Sequence, residues 1–252
     1  KNKDYILFYR LGDFYEMFFD DAKLVSRELE LTLTGRDCGL EERAPMCGVP
    51  YHSAEGYIAK LVRKGYKIAI CEQMEDPKLA KGLVKREIIR RVTPGTVVEA
   101  SMLDENRNNF LGCVFAVQGG IGVCFADITT GEVYATGSDN WQDIASELGR
   151  FAPREVLVGG TAATAESFHS FLKERLEALI EPMPEECFDP QRAAARVMQH
   201  FCIEDFDAAG LTDLPQTVQC LGGLLDYLGE TQQASLAALN HLQVYHQGQY
   251  ME

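Results

Sequence analysis

The 252 residues contain no C-x-x-C pair, no histidine spacing suited to a metal, and no G-x-x-x-x-G-K-[ST] phosphate loop. Each absence removes a class of protein. The eight cysteines (38, 47, 71, 113, 124, 187, 202 and 220) fall mostly inside apolar runs. They read as reduced, buried small hydrophobes rather than zinc ligands or a disulfide framework. The five histidines (52, 169, 200, 241 and 246) add no ligand pattern, so no structural metal is expected. Without the phosphate loop, no ATPase of that type lies within these residues. No apolar run approaches the ~20 residues that span a bilayer, and no signal peptide opens the chain, which points to a cytoplasmic protein with no membrane partner. A start at Lys1 rather than Met suggests a trimmed chain or a disordered N-terminus left out.

What is present is an ordinary globular composition, 46% hydrophobic and 25% charged, with length for one large or two medium domains. The formal charge of −14 is unevenly spread. Residues 1–98 hold 17 Lys and Arg against 15 Asp and Glu, a net +2, and residues 99–252 hold 7 against 23, a net −16. Such asymmetry signals two domains with different partners: the first half can meet a polyanion, the second is repelled by one.

The chain turns on Leu11-Gly12-Asp13-Phe14-Tyr15-Glu16-Met17-Phe18-Phe19. Tyr5 to Arg10 reads as a buried strand, and Phe18, Ala22, Val25 and Leu29 share one helical face. Gly12-Asp13 is therefore expected to be a strand-to-helix hinge, with Asp13 as N-cap and Glu16 completing a capping box. Phe14 has two readings that pattern cannot separate: one more turn of the core stripe, or an exposed wedge with Glu16 as an acceptor beside it.

Farther on, Leu31 to Arg36 alternates as a strand ending at Gly35, and Ala44 to His52 is too proline-rich for a central strand and reads as a shaped surface segment. Ser53 is placed as the cap of a helix that ends at Gly65. Tyr66 to Cys71 and Lys85 to Val98 supply further strands, with a turn-like stretch around Asp76-Pro77 between them. The alternation of strands and helices makes this a mixed α/β unit. Its cations gather at Lys60, Arg63, Lys64 and Lys67 and again at Lys78, Lys81, Lys85, Arg86, Arg90 and Arg91, which suits either a solvated face or phosphate contact.

Glu99 to Asn109 is a polar linker. A meander follows, Phe110 to Val117, Ile121 to Ile128 and Glu132 to Ala135, and then helices over 140–151, 164–179, 190–201 and 214–233, the last interrupted by Gly222-Gly223, around a short strand at 154–158. This order resembles a ribonuclease-H-like three-layer fold. Leu242 to Tyr245 reads as a strand leading into a third domain. The expected domains are thus 1–98, a linker 99–109, 110–240, and 241–252 as the start of another.

Only Asp127-Ile128-Thr129-Thr130-Gly131-Glu132 resembles a catalytic site, as the metal-holding Asp and phosphate-facing turn of a ribonuclease-H-like nuclease or phosphotransferase. The bland alternative is a hairpin turn whose hydroxyls satisfy Asp127. Two-metal chemistry needs further carboxylates, and Glu155 alone is thin support. The residues by themselves describe a binding module rather than an enzyme.

Four ordered blocks, Phe8 to Phe18, Pro45 to Ser53, Ala69 to Gln73 and Arg91 to Thr96, resemble the MutS family of DNA mismatch-recognition proteins. The resemblance is strong over residues 1–98. It implies a mixed-sheet mismatch-binding domain followed by a connector domain, with a lever domain beginning at the end. By this resemblance Phe14 enters the minor groove and stacks on a mispaired base, and Glu16 hydrogen-bonds that base. Leu11, Asp13, Arg36 and Met46 fall where the family approaches the DNA. Lys60 and Arg86 are candidates for phosphate contact on charge alone. The resemblance also implies a MutL-type partner for the acidic connector, homodimerisation of the whole protein, and ATP with Mg2+ bound by a domain outside these residues.

Overall fold

The computed structural model describes residues 4–39, 41–74, 84–97, 109–231 and 236–246. The chain divides into two compact units, the first running to Pro94 and the second from Gly95.

The first unit is built on a six-stranded mixed sheet in the order β3-β4-β2-β1-β5-β6. The strands are β1 (Tyr5–Leu11), β2 (Phe14–Phe18), β3 (Thr34–Arg36), β4 (Ala44–Pro50), β5 (Lys67–Gln73) and β6 (Arg86–Val92), with helices α1 (Phe19–Leu29) and α2 (Ala54–Arg63). β1 runs parallel to β5 and antiparallel to β2, and the other pairings are antiparallel. Burial alternates along β1 and β2, whereas Lys67 to Cys71 of β5 are buried throughout. Ile6, Phe8, Tyr15, Met17, Cys47 and Val49 are buried on one face, and α1 packs there, the Cys47 thiol lying 3.5 Å from the Ala22 carbonyl. α2 buries Ile58, Leu61 and Val62, and its Glu55 accepts from Arg90, the partner of inward-facing Ile70 on β5. Both helices thus lie on one face of the sheet.

The expected strand-to-helix hinge is instead a β-hairpin. Leu11 faces Phe14 across a two-residue turn in which Gly12 takes φ +59°, the left-handed position that such turns assign to Gly. The helix starts only at Phe19, with Phe18 at the N-cap position and no side-chain cap, so neither Asp13 nor Glu16 caps it. Period two wins over period 3.6 here because Phe14–Phe18 must pair with strands on both sides, β1 and β4. The proline-rich 44–52 segment is likewise a strand in the sheet interior as far as Pro50. Pro45 precedes the Met46–Pro50 stretch that pairs with β2, and Pro50 closes it. Ser53 precedes α2 as expected but does not cap it, its hydroxyl donating back to the Pro50 carbonyl at 3.2 Å.

The second unit has its own six-stranded sheet, order β11-β10-β7-β8-β9-β12. β7 (Phe110–Val117), β8 (Gly120–Asp127) and β9 (Glu132–Ser138) form the meander, and β10 (Glu155–Gly160), β11 (Leu179–Pro182) and β12 (His241–Val244) add in parallel. The helices are α3 (Trp141–Phe151), α4 (Glu166–Glu174), α5 (Pro190–Phe201) and α6 (Pro215–Thr231). The central strands β7, β8 and β10 are buried on both faces. Leu111, Cys113 and Phe115 pack with Val197, Leu221 and Leu224, while Phe110, Val114 and Ala116 pack with Ile144, Leu148 and Leu172. Gly222-Gly223 does not interrupt α6. A Cβ on Gly222 would stand 2.4 Å from the Ala193 Cβ and one on Gly223 2.5 Å from the Phe188 ring, so the pair lets α6 meet its neighbours closely. The helix expected over 164–179 is shorter, because Leu179 already belongs to β11. The strand expected to lead into a third domain is β12, the edge of this sheet, and residues 247–252 lie outside the described residues. Residues 99–108 of the expected linker 99–109 and the cations Lys78 and Lys81 lie outside them too.

Candidate nucleic-acid interface

Strand alternation puts Phe14, Glu16 and Phe18 on the face of the first sheet opposite α1. Register then gathers the rest. Leu11 and Pro50 flank Phe14, Tyr9 and Gly48 flank Glu16, and Met46 flanks Phe18. Arg36, opposite Ala44 on β3, donates through Nη1 to Glu16 Oε2. Leu11, Phe14, Glu16, Arg36 and Met46 therefore occupy one face, with Asp13 in the turn beside them. Phe14 is 46% exposed, which removes the core-stripe reading. A Cβ on Gly48 would lie 3.3 Å from the Tyr15 carbonyl and, at ordinary contact distance, 3.5 Å from the Glu16 Cγ.

The tip of the hairpin is held from behind. The Tyr51 amide donates to the Asp13 carbonyl at 3.0 Å. The Arg10 guanidinium lies 3.6 Å from the Tyr51 ring centroid, its Nε donates to the Gly12 carbonyl, and its Nη1 is 3.6 Å from Glu72. The Tyr15 hydroxyl donates to the same Glu72, and burial together with that carboxylate pushes the phenol up to about 12. Sequence reading missed Arg10, Tyr51 and Glu72. The available signal was Arg10 itself, a single charge closing the apolar run Tyr5 to Tyr9.

Arg86 stands over the Tyr9 ring at 5.0 Å, on the side of the sheet that carries Glu16, and donates to the Val84 carbonyl at 2.9 Å. Lys60 is not brought to this face. It is exposed on α2, which packs on the other side.

Among its described residues the second unit offers no comparable site. Asp127 is 5% exposed, and its Oδ1 accepts from the Thr129 amide at 2.8 Å and the Thr129 hydroxyl at 2.6 Å, a hairpin turn satisfied internally. Glu155 accepts from the Gly95 amide at 2.9 Å and the Tyr227 hydroxyl at 2.6 Å. Register pairs Asp127 with Phe110 and Glu155 with Leu111, residues of opposite faces, so the two carboxylates do not converge on a metal. One cluster was invisible to spacing. Cys113 and Cys124 are cross-strand partners that meet Cys220 of α6, with the three Sγ atoms within 4.8 Å of one another. Cys220 donates to the Cys113 carbonyl at 2.9 Å. Burial pushes the Cys113 and Cys124 thiols far up, which keeps them protonated and poor ligands.

Residues 1–101 match the family model of MutS domain I and residues 109–243 that of MutS domain II. The chain belongs to the MutS family. It is 48% identical over 254 residues to the DNA mismatch repair protein MutS of Lachnoclostridium phytofermentans, covering 99% of this chain and 27% of that protein. The protein of that name from Acetivibrio thermocellus is 47% identical, covering 99% and 29%, and that from Symbiobacterium thermophilum 46%, covering 98% and 29%. The chain spans a little over a quarter of the length of these curated relatives. Both MutS domains are mixed α/β, and the exposed Phe14 face lies wholly in domain I.

Proposed function

We propose that domain I recognises mispaired or unpaired bases in duplex DNA, with Phe14 inserted from the minor groove and Glu16 hydrogen-bonded to the displaced base. The observation that carries this is an exposed aromatic on a braced hairpin, beside a carboxylate held by Arg36. Insertion unstacks a base step and kinks the duplex at roughly a few kcal/mol, less at a mismatch, so discrimination comes from deformability. Leu11 and Met46 extend the apolar surface around Phe14, Asp13 lies at the tip, and Arg36 and Arg86 face phosphates. Lys60, on the far side, is the weaker phosphate candidate.

Domain II, with its strong negative charge and both sheet faces packed, fits a ribonuclease-H-like three-layer connector that meets a MutL-type protein rather than DNA. In the whole protein it relays to an ATPase domain binding ATP and Mg2+ and works within a homodimer in the cytoplasm. The boundaries 1–98, 99–109 and 110–240 remain our proposal for the functional division.

Gel-shift competition between a G·T or unpaired-T duplex and its matched twin tests the reading. The mismatched duplex competes better, Phe14→Ala removes the preference, and Glu16→Ala strengthens matched-duplex binding by relieving carboxylate–phosphate repulsion. Equal weakening of both duplexes by either substitution sinks the proposal.

A further inference from the structure

The turn that presents Phe14 is exposed: Gly12, Asp13 and Phe14 are all open to solvent. A two-stranded hairpin tip is marginal alone. A wedge that unstacks bases must nevertheless hold its direction against a load of roughly a few kcal/mol. The strength has to come from behind the tip.

We infer that Arg10 is the positioning residue of the wedge, joining the Gly12 carbonyl to the Tyr51 ring and to Glu72 so that Phe14 meets the base stack on a fixed support. This inference rests on the reading of Phe14 given above. Three contacts converge on one guanidinium: the Gly12 carbonyl at the tip, the Tyr51 ring 3.6 Å from its central carbon, and Glu72 on β5 at 3.6 Å. The Tyr51 amide holds the next carbonyl, that of Asp13, at 3.0 Å. Both carbonyls of the turn are thus tied to the Arg10–Tyr51 pair. Tyr15, next to Phe14 in sequence but on the opposite face, anchors the far end of the strut through Glu72. The Arg10 side chain is only 17% exposed, so it is committed to these partners and withdrawn from phosphates. Its planar fork is what the geometry uses. Lysine keeps the charge opposite Glu72 but has no flat face for Tyr51, and its donors all sit on one terminal nitrogen, with none at the Nε position that reaches the Gly12 carbonyl.

The test uses the 252-residue chain with a G·T duplex carrying 2-aminopurine beside the mismatch and its matched twin, with Arg10→Lys, Tyr51→Leu, Tyr51→Phe and Phe14→Ala compared. Arg10→Lys lowers the mismatch-to-match affinity ratio by about tenfold, equivalent to about 1.4 kcal/mol. It also suppresses the 2-aminopurine change, while matched-duplex affinity and the salt slope stay at the unsubstituted values. Tyr51→Leu reproduces this and Tyr51→Phe, which keeps the ring, behaves as the parent chain. If Phe14→Ala also leaves the ratio intact, the wedge reading itself falls. If Phe14→Ala collapses the ratio while Arg10→Lys and Tyr51→Leu keep it, the positioning role alone is overturned. Equal weakening of both duplexes by Arg10→Lys with a flatter salt slope makes Arg10 a phosphate contact and overturns it too. Should Arg10→Lys lose its fold by circular dichroism, the Tyr51→Leu and Tyr51→Phe pair decides.

Discussion

Two six-stranded sheets in one chain are finished differently. In domain II the central strands β7 and β8 are buried on both faces and helices complete two separate cores. In domain I, burial alternates along β1 and β2, helices lie on one face, and among its described residues no helix covers the other. The first pattern uses nearly every side chain for packing. The second leaves a rigid surface whose residues are free to meet something else. Phe14 and Glu16 sit on the uncovered surface, whereas Asp127 and Glu155, the candidate carboxylates of domain II, are each absorbed by internal partners.

Substitutions should separate the two patterns sharply. Phe188, 2% exposed and stacked on Phe115 at 4.7 Å, packs over Gly159 and Gly223. Phe188→Ala is expected to cost about 3–5 kcal/mol in urea unfolding, confined to domain II. Glu155→Ala leaves the Gly95 amide and Tyr227 hydroxyl without this acceptor and is expected to cost about 1–3 kcal/mol by the same assay.

In domain I the Tyr15 phenol keeps its proton up to about 12 against an ordinary 10. Between these values the folded state binds more protons than the unfolded, so stability present below pH 10 falls as pH rises toward 12. Tyr15→Phe should flatten that fall in a pH series of melting curves. Phe14→Ala, by contrast, should change stability by no more than about 0.5 kcal/mol, because the ring is exposed. Smallest of all, Arg86→Ala should reduce the salt slope of DNA binding by about one phosphate for every duplex, with Lys60→Ala below that. A loss with Lys60→Ala as large as with Arg86→Ala would show that DNA also reaches the helical face.

Sequence reading found the meander and α5 closely, because their turns and caps are local: Gln118-Gly119, one residue before the expected Gly119-Gly120, turns β7 into β8, and Asp189 accepts from the Arg192 amide at the start of α5. It misjudged Phe14–Phe18 because aromatic residues stand on both faces there. Phe14 and Phe18 point outward and Tyr15 inward, which erases the polar alternation that marks a strand. It missed β11 because a strand of four residues gains its identity from the neighbour it pairs with, β10, and it read β12 as a strand without placing it beside β9. Residue types at the candidate site were legible from the Phe14-Tyr15-Glu16 motif. The Arg36–Glu16 pair and the Arg10 strut were not, since they join residues 20 apart and strands that meet only in the sheet.

DNA is expected to meet the face of domain I that carries Phe14. Hydroxyl-radical footprinting reads it directly, since Phe14 is 46% exposed in domain I and Trp141 37% exposed in domain II. A G·T duplex should protect Phe14 and Met46 from oxidation and leave Trp141 unchanged. Oxidation of Phe14 at its free rate in the presence of saturating duplex would contradict the account.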